Sequence, residues 1–150
     1  MGRNCCVSPE HFGPLLGYCD HQVQKLMGRL LRQYDVTPMQ CRTLTYLYRQ
    51  GGESSQKQLE QHLMVKPSTV NGIVDRLEEK GMLCRSADKQ DGRRRVLTLT
   101  EQGVAFHGDF LQVIAQVNRR LEQGFTQEEL AAFRGFLLRT ADNLREEEQE

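Results

Sequence analysis

At 150 residues, with 20 Lys/Arg against 20 Asp/Glu, the chain has the size of one domain and the charge of a folded, water-soluble protein with a real core. No apolar run reaches membrane-spanning length, no secretory leader is expected, and five irregularly spaced cysteines do not make a disulfide framework, so a reducing cytoplasm is the expected location. Zero net charge hides an asymmetry: residues 37–100 carry eleven Lys/Arg against seven Asp/Glu, whereas residues 101–150 carry five against ten, which turns a basic middle segment toward phosphate and an acidic end away from it.

From Leu15 to Tyr34 the apolar residues Leu15, Leu16, Val23, Leu26, Met27, Leu30, Leu31 and Tyr34 recur at helical spacing, so a long helix is predicted. Thr37, Pro38 and Gln40 then form an N-cap, a first helical position and a capping box. The helix they open carries Cys41, Leu44, Leu47 and Tyr48 inward and is stopped by Gly51-Gly52. Ser55 with Gln58 opens a short helix through Leu59 and Leu63. After Met64–Lys66, Pro67 begins another helix, with Val70, Ile73, Val74 and Leu77 as its buried stripe and Gly81 at its left-handed end. Two short helices joined by about three residues have the spacing of a helix-turn-helix.

Beyond Gly81 the period becomes two. Leu83, Arg85 and Ala87 alternate with Cys84 and Ser86, and Val96 and Thr98 alternate with Leu97 and Leu99. The polar, glycine-bearing stretch Asp88–Arg94 between them reads as a hairpin loop. Thr100 caps a long helix bearing Phe106, Phe110, Leu111, Ile114, Val117 and Leu121. Thr126 with Glu129 opens a last one bearing Leu130, Phe133, Leu137, Leu138, Ala141 and Leu144, before an acidic tail from Glu146. The terminal helices hold more apolar residues than a small domain can cover, which is the pattern of packing against a twin. The expected fold is mainly α (α+β): a winged helix-turn-helix with long N- and C-terminal dimerisation helices. One domain is expected, with residues 15–36 and 101–145 pairing the copies and 37–100 forming the DNA-binding lobe.

The chain resembles the MarR family (multiple-antibiotic-resistance regulators). The matching residues are Thr37-Pro38, Ser68, Thr69 and Val70, the run Val74-Asp75-Arg76-Leu77-Glu78, Gly81, Arg85, Asp91, Arg93, Val96-Leu97-Thr98-Leu99-Thr100 and Gly103. The resemblance extends from about Leu15 to Leu144. It implies a homodimer whose terminal helices intertwine, whose winged lobes face a pseudo-palindromic operator in double-stranded DNA, and which represses a promoter until a small ligand or an oxidant acts on it. It also implies DNA contacts at Ser68, Thr69, Asn71, Arg76, Arg93, Arg94 and Arg95, with Asp91 bracing the wing arginine by a charge-assisted hydrogen bond.

The chemistry of these residues fits that role. Ser68 and Thr69 fall in a first helical turn, where hydroxyls and open N–H groups suit phosphate or base edges; plain capping is the alternative. Asn71 can pair with adenine in bidentate fashion; a merely solvated side chain is the alternative. Arg76 can reach phosphate or pair with Asp75, Glu78 or Glu79. Lys57, Lys66 and Lys89 supply backbone-neutralising charge that sets affinity and salt dependence. An organic effector would lie between the first, second and Thr100 helices, with Tyr18, His21, Met27, Tyr46 and Phe106 as lining candidates.

Other readings are narrower. The family's hydroperoxide-sensing branch places its cysteine near Gly17, whereas here Cys5 and Cys6 precede the first helix, Cys19 is followed by Asp20, and Cys41 and Cys84 read as core or strand. His21, Cys41, His62 and His107 lack the short-range spacing of a zinc site. No cofactor is expected, and no phosphate-cradling loop, nucleophile elbow or metalloprotease signature points to an enzyme. A winged-helix protein-interaction module is the remaining rival, and the arginine-rich wing argues against it.

Overall fold

Residues 10–88 and 94–145 are described in the computed structural model, and the chain divides into two units, Met1–Val117 and Asn118–Glu150. In the first unit, α1 (Phe12–Leu31) runs into a 3-10 turn, Arg32–Tyr34, that ends at Asp35 with φ 53°. The helix thus starts three residues before the predicted Leu15 and tightens before Tyr34. Pro14 falls in its first turn, where a missing N–H forfeits no intrahelical bond.

The predicted capping chemistry is present. The Thr37 hydroxyl accepts the Gln40 N–H at 3.2 Å and Gln40 Oε1 accepts the Thr37 N–H at 3.1 Å, opening α2 (Pro38–Arg49). Ser55 and Gln58 form a second box at the start of α3 (Gln56–Leu63). Met64 turns the chain at φ 53°, and Pro67 is the first residue of α4 (Pro67–Glu79). Gly81, at φ 69°, makes the left-handed turn out of α4 that a Cβ would strain.

The strands are β1 (Glu53–Ser55), β2 (Leu83–Ala87) and β3 (Arg95–Leu99), in antiparallel order β1-β3-β2. Leu83 pairs with Leu99 and Ala87 with Arg95, so Leu97 and Leu99 point inward and the polar alternates outward. β1 was not anticipated. Glu-Ser-Ser carries no apolar alternation and becomes a strand because β3 has a second edge to satisfy. Glu53 opposes Thr98, whose hydroxyl donates to Glu53 Oε2 at 3.2 Å.

α5 (Glu101–Leu121) starts at Thr100, whose hydroxyl accepts the Gly103 N–H at 3.2 Å and donates to the Gly81 carbonyl at 2.6 Å. One core joins these elements: Leu31, Leu44, Leu47, Leu59, Val70, Val74, Leu77, Leu83, Leu97 and Val113 are all essentially inaccessible. Two positions differ from expectation. Tyr48 is 39% exposed and lies flat on His107, ring centroids 3.7 Å apart, because it stands at the rim of α2. Val113, unremarked in the sequence, is fully buried while Leu111 is 52% exposed; the inner face of α5 follows Phe106, Val113 and Val117.

In the second unit, Thr126 and Glu129 form the capping box that opens α6 (Gln127–Asn143). The Phe125 and Phe133 rings stack at 6.1 Å, yet α6 has no buried residue. A unit of this length cannot enclose a core of its own.

Candidate DNA interface

Val70, Val74 and Leu77 anchor α4 in the core, which leaves Ser68, Thr69, Asn71, Asp75 and Arg76 exposed on its outer side. The helix begins at Lys66, which makes no side-chain cap. Capping by the N-cap side chain therefore does not account for the Ser68 and Thr69 hydroxyls, in the first turn. A helix start with small hydroxyl side chains and no capping carboxylate suits an anionic partner.

Two contacts fix this helix against the wing. The Arg85 guanidinium on β2 donates to Asp75, and the Arg85 backbone N–H donates to Glu78 Oε1 at 3.0 Å. Arg85 is 21% exposed and Asp75 56%, so the pair is screened at its carboxylate end and partly sheltered at its guanidinium. Those partners leave Glu79 for Arg76, at 3.3 Å, of the three carboxylates expected to compete for it. Both ends of that pair are well exposed, so it contributes about 0–1 kcal/mol and yields readily to a phosphate. A third tether comes from Lys80 at the end of α4. Its Nζ donates to the Asp35 carbonyl, meets the Asp35 carboxylate at 3.1 Å and reaches Gln40 Oε1 at 3.3 Å. No sequence signal announced it, since the partners are 45 residues apart.

At the wing, the Asp88 N–H donates to the Arg94 carbonyl at 2.9 Å, closing the hairpin base. Arg94 and Arg95 are exposed there and flank an open groove shared with Glu53, Ser55, Gln56 and Lys57. Asp91 and Arg93, with Lys89 and the expected Asp91–Arg93 brace, lie outside the described residues.

The five effector candidates do not come together. Tyr18 and His21 are exposed on α1, and Met27 is half-buried against the core. The Tyr46 ring stacks on His62 of α3 at 4.3 Å and its hydroxyl meets Ser54, whereas Phe106 is buried edge-on to Tyr34 at 6.0 Å. Helical spacing groups residues on one helix but does not say which neighbour each face meets. A crevice between α2 and α5, lined by Leu44, Thr45, Tyr48, Gly103, Phe106 and His107, has no room for even a water-sized molecule and so holds no organic ligand.

Among the described residues no cluster of three or more His, Cys, Asp or Glu is suited to hold a metal ion, and no helix is long and apolar enough to cross a membrane. Cys19 and Cys84 are exposed, and Cys41 is buried. Burial pushes the Cys41 thiol up to about 11 from 9.0, against a smaller opposing hydrogen bond from Thr45. The folded state thus favours the neutral thiol, and that contribution is whole below pH 9 and is lost as pH rises toward 11. Comparing unfolding curves should show the native chain losing about 3 kcal/mol more than Cys41→Ala across this window. Parallel curves would remove the buried thiol from the account.

Residues 34–94, which contain the helix-turn-helix and the first wing strand, match the MarR family model. Over 116 residues the chain is 30% identical to YdcH of Bacillus subtilis, an uncharacterised HTH-type transcriptional regulator, covering 75% of this chain and 76% of that one. It is also 30% identical over 101 residues to the HTH-type transcriptional repressor IacR of Pseudomonas putida, covering 67% of this chain but only 60% of IacR. In structure it resembles MepR of S. aureus, solved as a DNA complex, with a TM-score of 0.75 and 26% identity over 89% of this chain and 98% of MepR. With a polar-faced helix locked to an arginine-bearing hairpin, the chain belongs to the MarR family of winged-helix DNA-binding transcriptional regulators.

Proposed function

We propose that this regulator works in the cytoplasm as a homodimeric repressor and that a small organic effector releases it from its operator. Two copies join through residues 15–36 and 101–145 and hold their α4 helices about 34 Å apart, one turn of duplex, so that each enters a major groove of a pseudo-palindrome. Ser68, Thr69 and Asn71 meet base edges or phosphates there. Arg76 and Lys66 neutralise backbone, and Arg93–Arg95, with Asp91 as brace, extend the wing into the neighbouring minor groove, where the potential is most negative. The observation that carries the reading is the outer side of α4: hydroxyl, amide and guanidinium groups on a helix held rigidly to the wing by Arg85.

Dimer formation is supported by the uncovered apolar stripe of α6, and repression by the name of IacR. On this reading the effector acts through geometry. A change of angle between the lobes by a few ångströms takes both helices out of successive grooves at once, which costs affinity without touching a base contact.

The test uses the wing. Replacing Arg94 and Arg95 together by alanine should weaken operator binding, reduce the slope of log affinity against log salt by about 1–2, and leave the dimer intact. An unchanged slope at undiminished affinity would take the wing out of the interface. Binding without any salt dependence in the native chain would favour a protein partner over DNA.

A further inference from the structure

Asn71 is held by a neighbour on another helix. Gln56, the first residue of α3, donates from Nε2 to Asn71 Oδ1 at 2.7 Å and to Glu60 Oε1 at 3.2 Å. The order of these bonds follows from donor and acceptor chemistry. An ionised carboxylate can only accept, so Glu60 turns the Gln56 amide nitrogen toward itself. The second proton on that nitrogen goes to Asn71, whose carbonyl oxygen must then face α3. The Asn71 amide nitrogen is left directed away from the relay, as a donor.

We propose that Glu60 and Gln56 are positioning residues that set the sense of the Asn71 amide and thereby the base it selects. This rests on the reading of Asn71 as a base contact given above. Bidentate pairing with adenine needs Oδ1 to accept from N6 while Nδ2 donates to N7. Here Gln56 holds Oδ1 toward α3 and Nδ2 is turned outward, so the group presented is a donor, and it matches the major-groove acceptors: O6 or N7 of guanine, O4 of thymine and N7 of adenine. Cytosine presents only its N4 donor in the major groove, and two donors facing each other repel. In this sense the amide rejects cytosine, and in the opposite sense it would reject guanine and thymine, which offer no donor in the major groove.

The relay can be reversed without changing its charge. In the double variant Gln56→Glu/Glu60→Gln the carboxylate sits beside Asn71, accepts from its Nδ2, and turns Oδ1 outward. Site selection from random duplex DNA, run on the native chain, Asn71→Ala, Gln56→Ala and the double variant, tests the proposal. At one position of each half-site the native chain should enrich guanine, thymine or adenine over cytosine. Asn71→Ala should lose that preference by about tenfold, the scale of one base-edge contact. Gln56→Ala should flatten it, and the double variant should reject guanine and thymine at the same position. A profile unmoved by Asn71→Ala would defeat the base-contact reading and the proposal with it. A position that responds to Asn71→Ala but not to Gln56→Ala or the double variant would overturn the relay alone, as would native enrichment of cytosine there. Affinity for non-specific duplex, which a misfolded lobe would lose, should stay within about twofold throughout.

Discussion

Replacing Phe133 and Leu137 together by aspartate should leave a chain that runs as a single subunit and binds an inverted-repeat duplex on the order of a thousandfold more weakly. Leu130, Phe133, Leu137, Ala141 and Leu144 follow one another at intervals of three and four, so they form one stripe along α6. Phe133 is 47% exposed and Leu137 40%, and no residue of the helix is buried. A stripe of this kind is stable in water only when another surface covers it. Buried aromatic and aliphatic anchors at a pairing surface each contribute about 2 kcal/mol or more, so removing two costs about three powers of ten in affinity. Both side chains are already exposed within the protomer. Circular dichroism should therefore show the helices retained, and sedimentation velocity should show the mass halved. A variant that remained paired would assign α6 another role.

Gly103→Ala should unfold at a temperature lower by about 10 °C, from a loss of about 3 kcal/mol. A Cβ at this position falls 2.0 Å from the Met82 carbonyl oxygen and 3.1 Å from Leu99 Cδ2. The first obstacle is backbone, which cannot rotate away as a side chain can. The first turn of α5 must lift from the chain between α4 and β2, where Thr100 also bonds to the Gly81 carbonyl. DNA affinity should fall with it, since the same turn supports the base of the wing. Gly108→Ala is the matched control. Its Cβ meets nothing within 4 Å, and replacing glycine inside an exposed helix stabilises by up to about 1 kcal/mol. Equal melting temperatures for the two variants would contradict the packing described.

What could be read from the residues was mostly local. Thr37–Gln40, Ser55–Gln58 and Thr126–Glu129 marked three helix starts correctly because a capping box is complete within four residues. The stripe Val70, Val74 and Leu77 was equally plain, as a single helix decides it. The misses share a cause. β1 exists only through its pairing with β3, and the tethers of Lys80 to Asp35 and of Arg85 to Asp75 join residues that chain order keeps apart. Nor does helical position show the partners of the Tyr46 and Phe106 rings, which are His62 and Tyr34 respectively. Among the residues proposed to face DNA, the sequence points to Asn71 but not to its partner Gln56, because a polar residue at a helix start reads as solvated until its neighbour on the next helix is visible.

The most direct test of the central claim is the geometry of the selected binding site. Duplexes recovered from a random pool at physiological salt should carry two inverted half-sites with centres about 10 base pairs apart, occupied by two chains per duplex. Recovery of a lone, unpaired half-site bound by one chain, or of no common site at all, would contradict it.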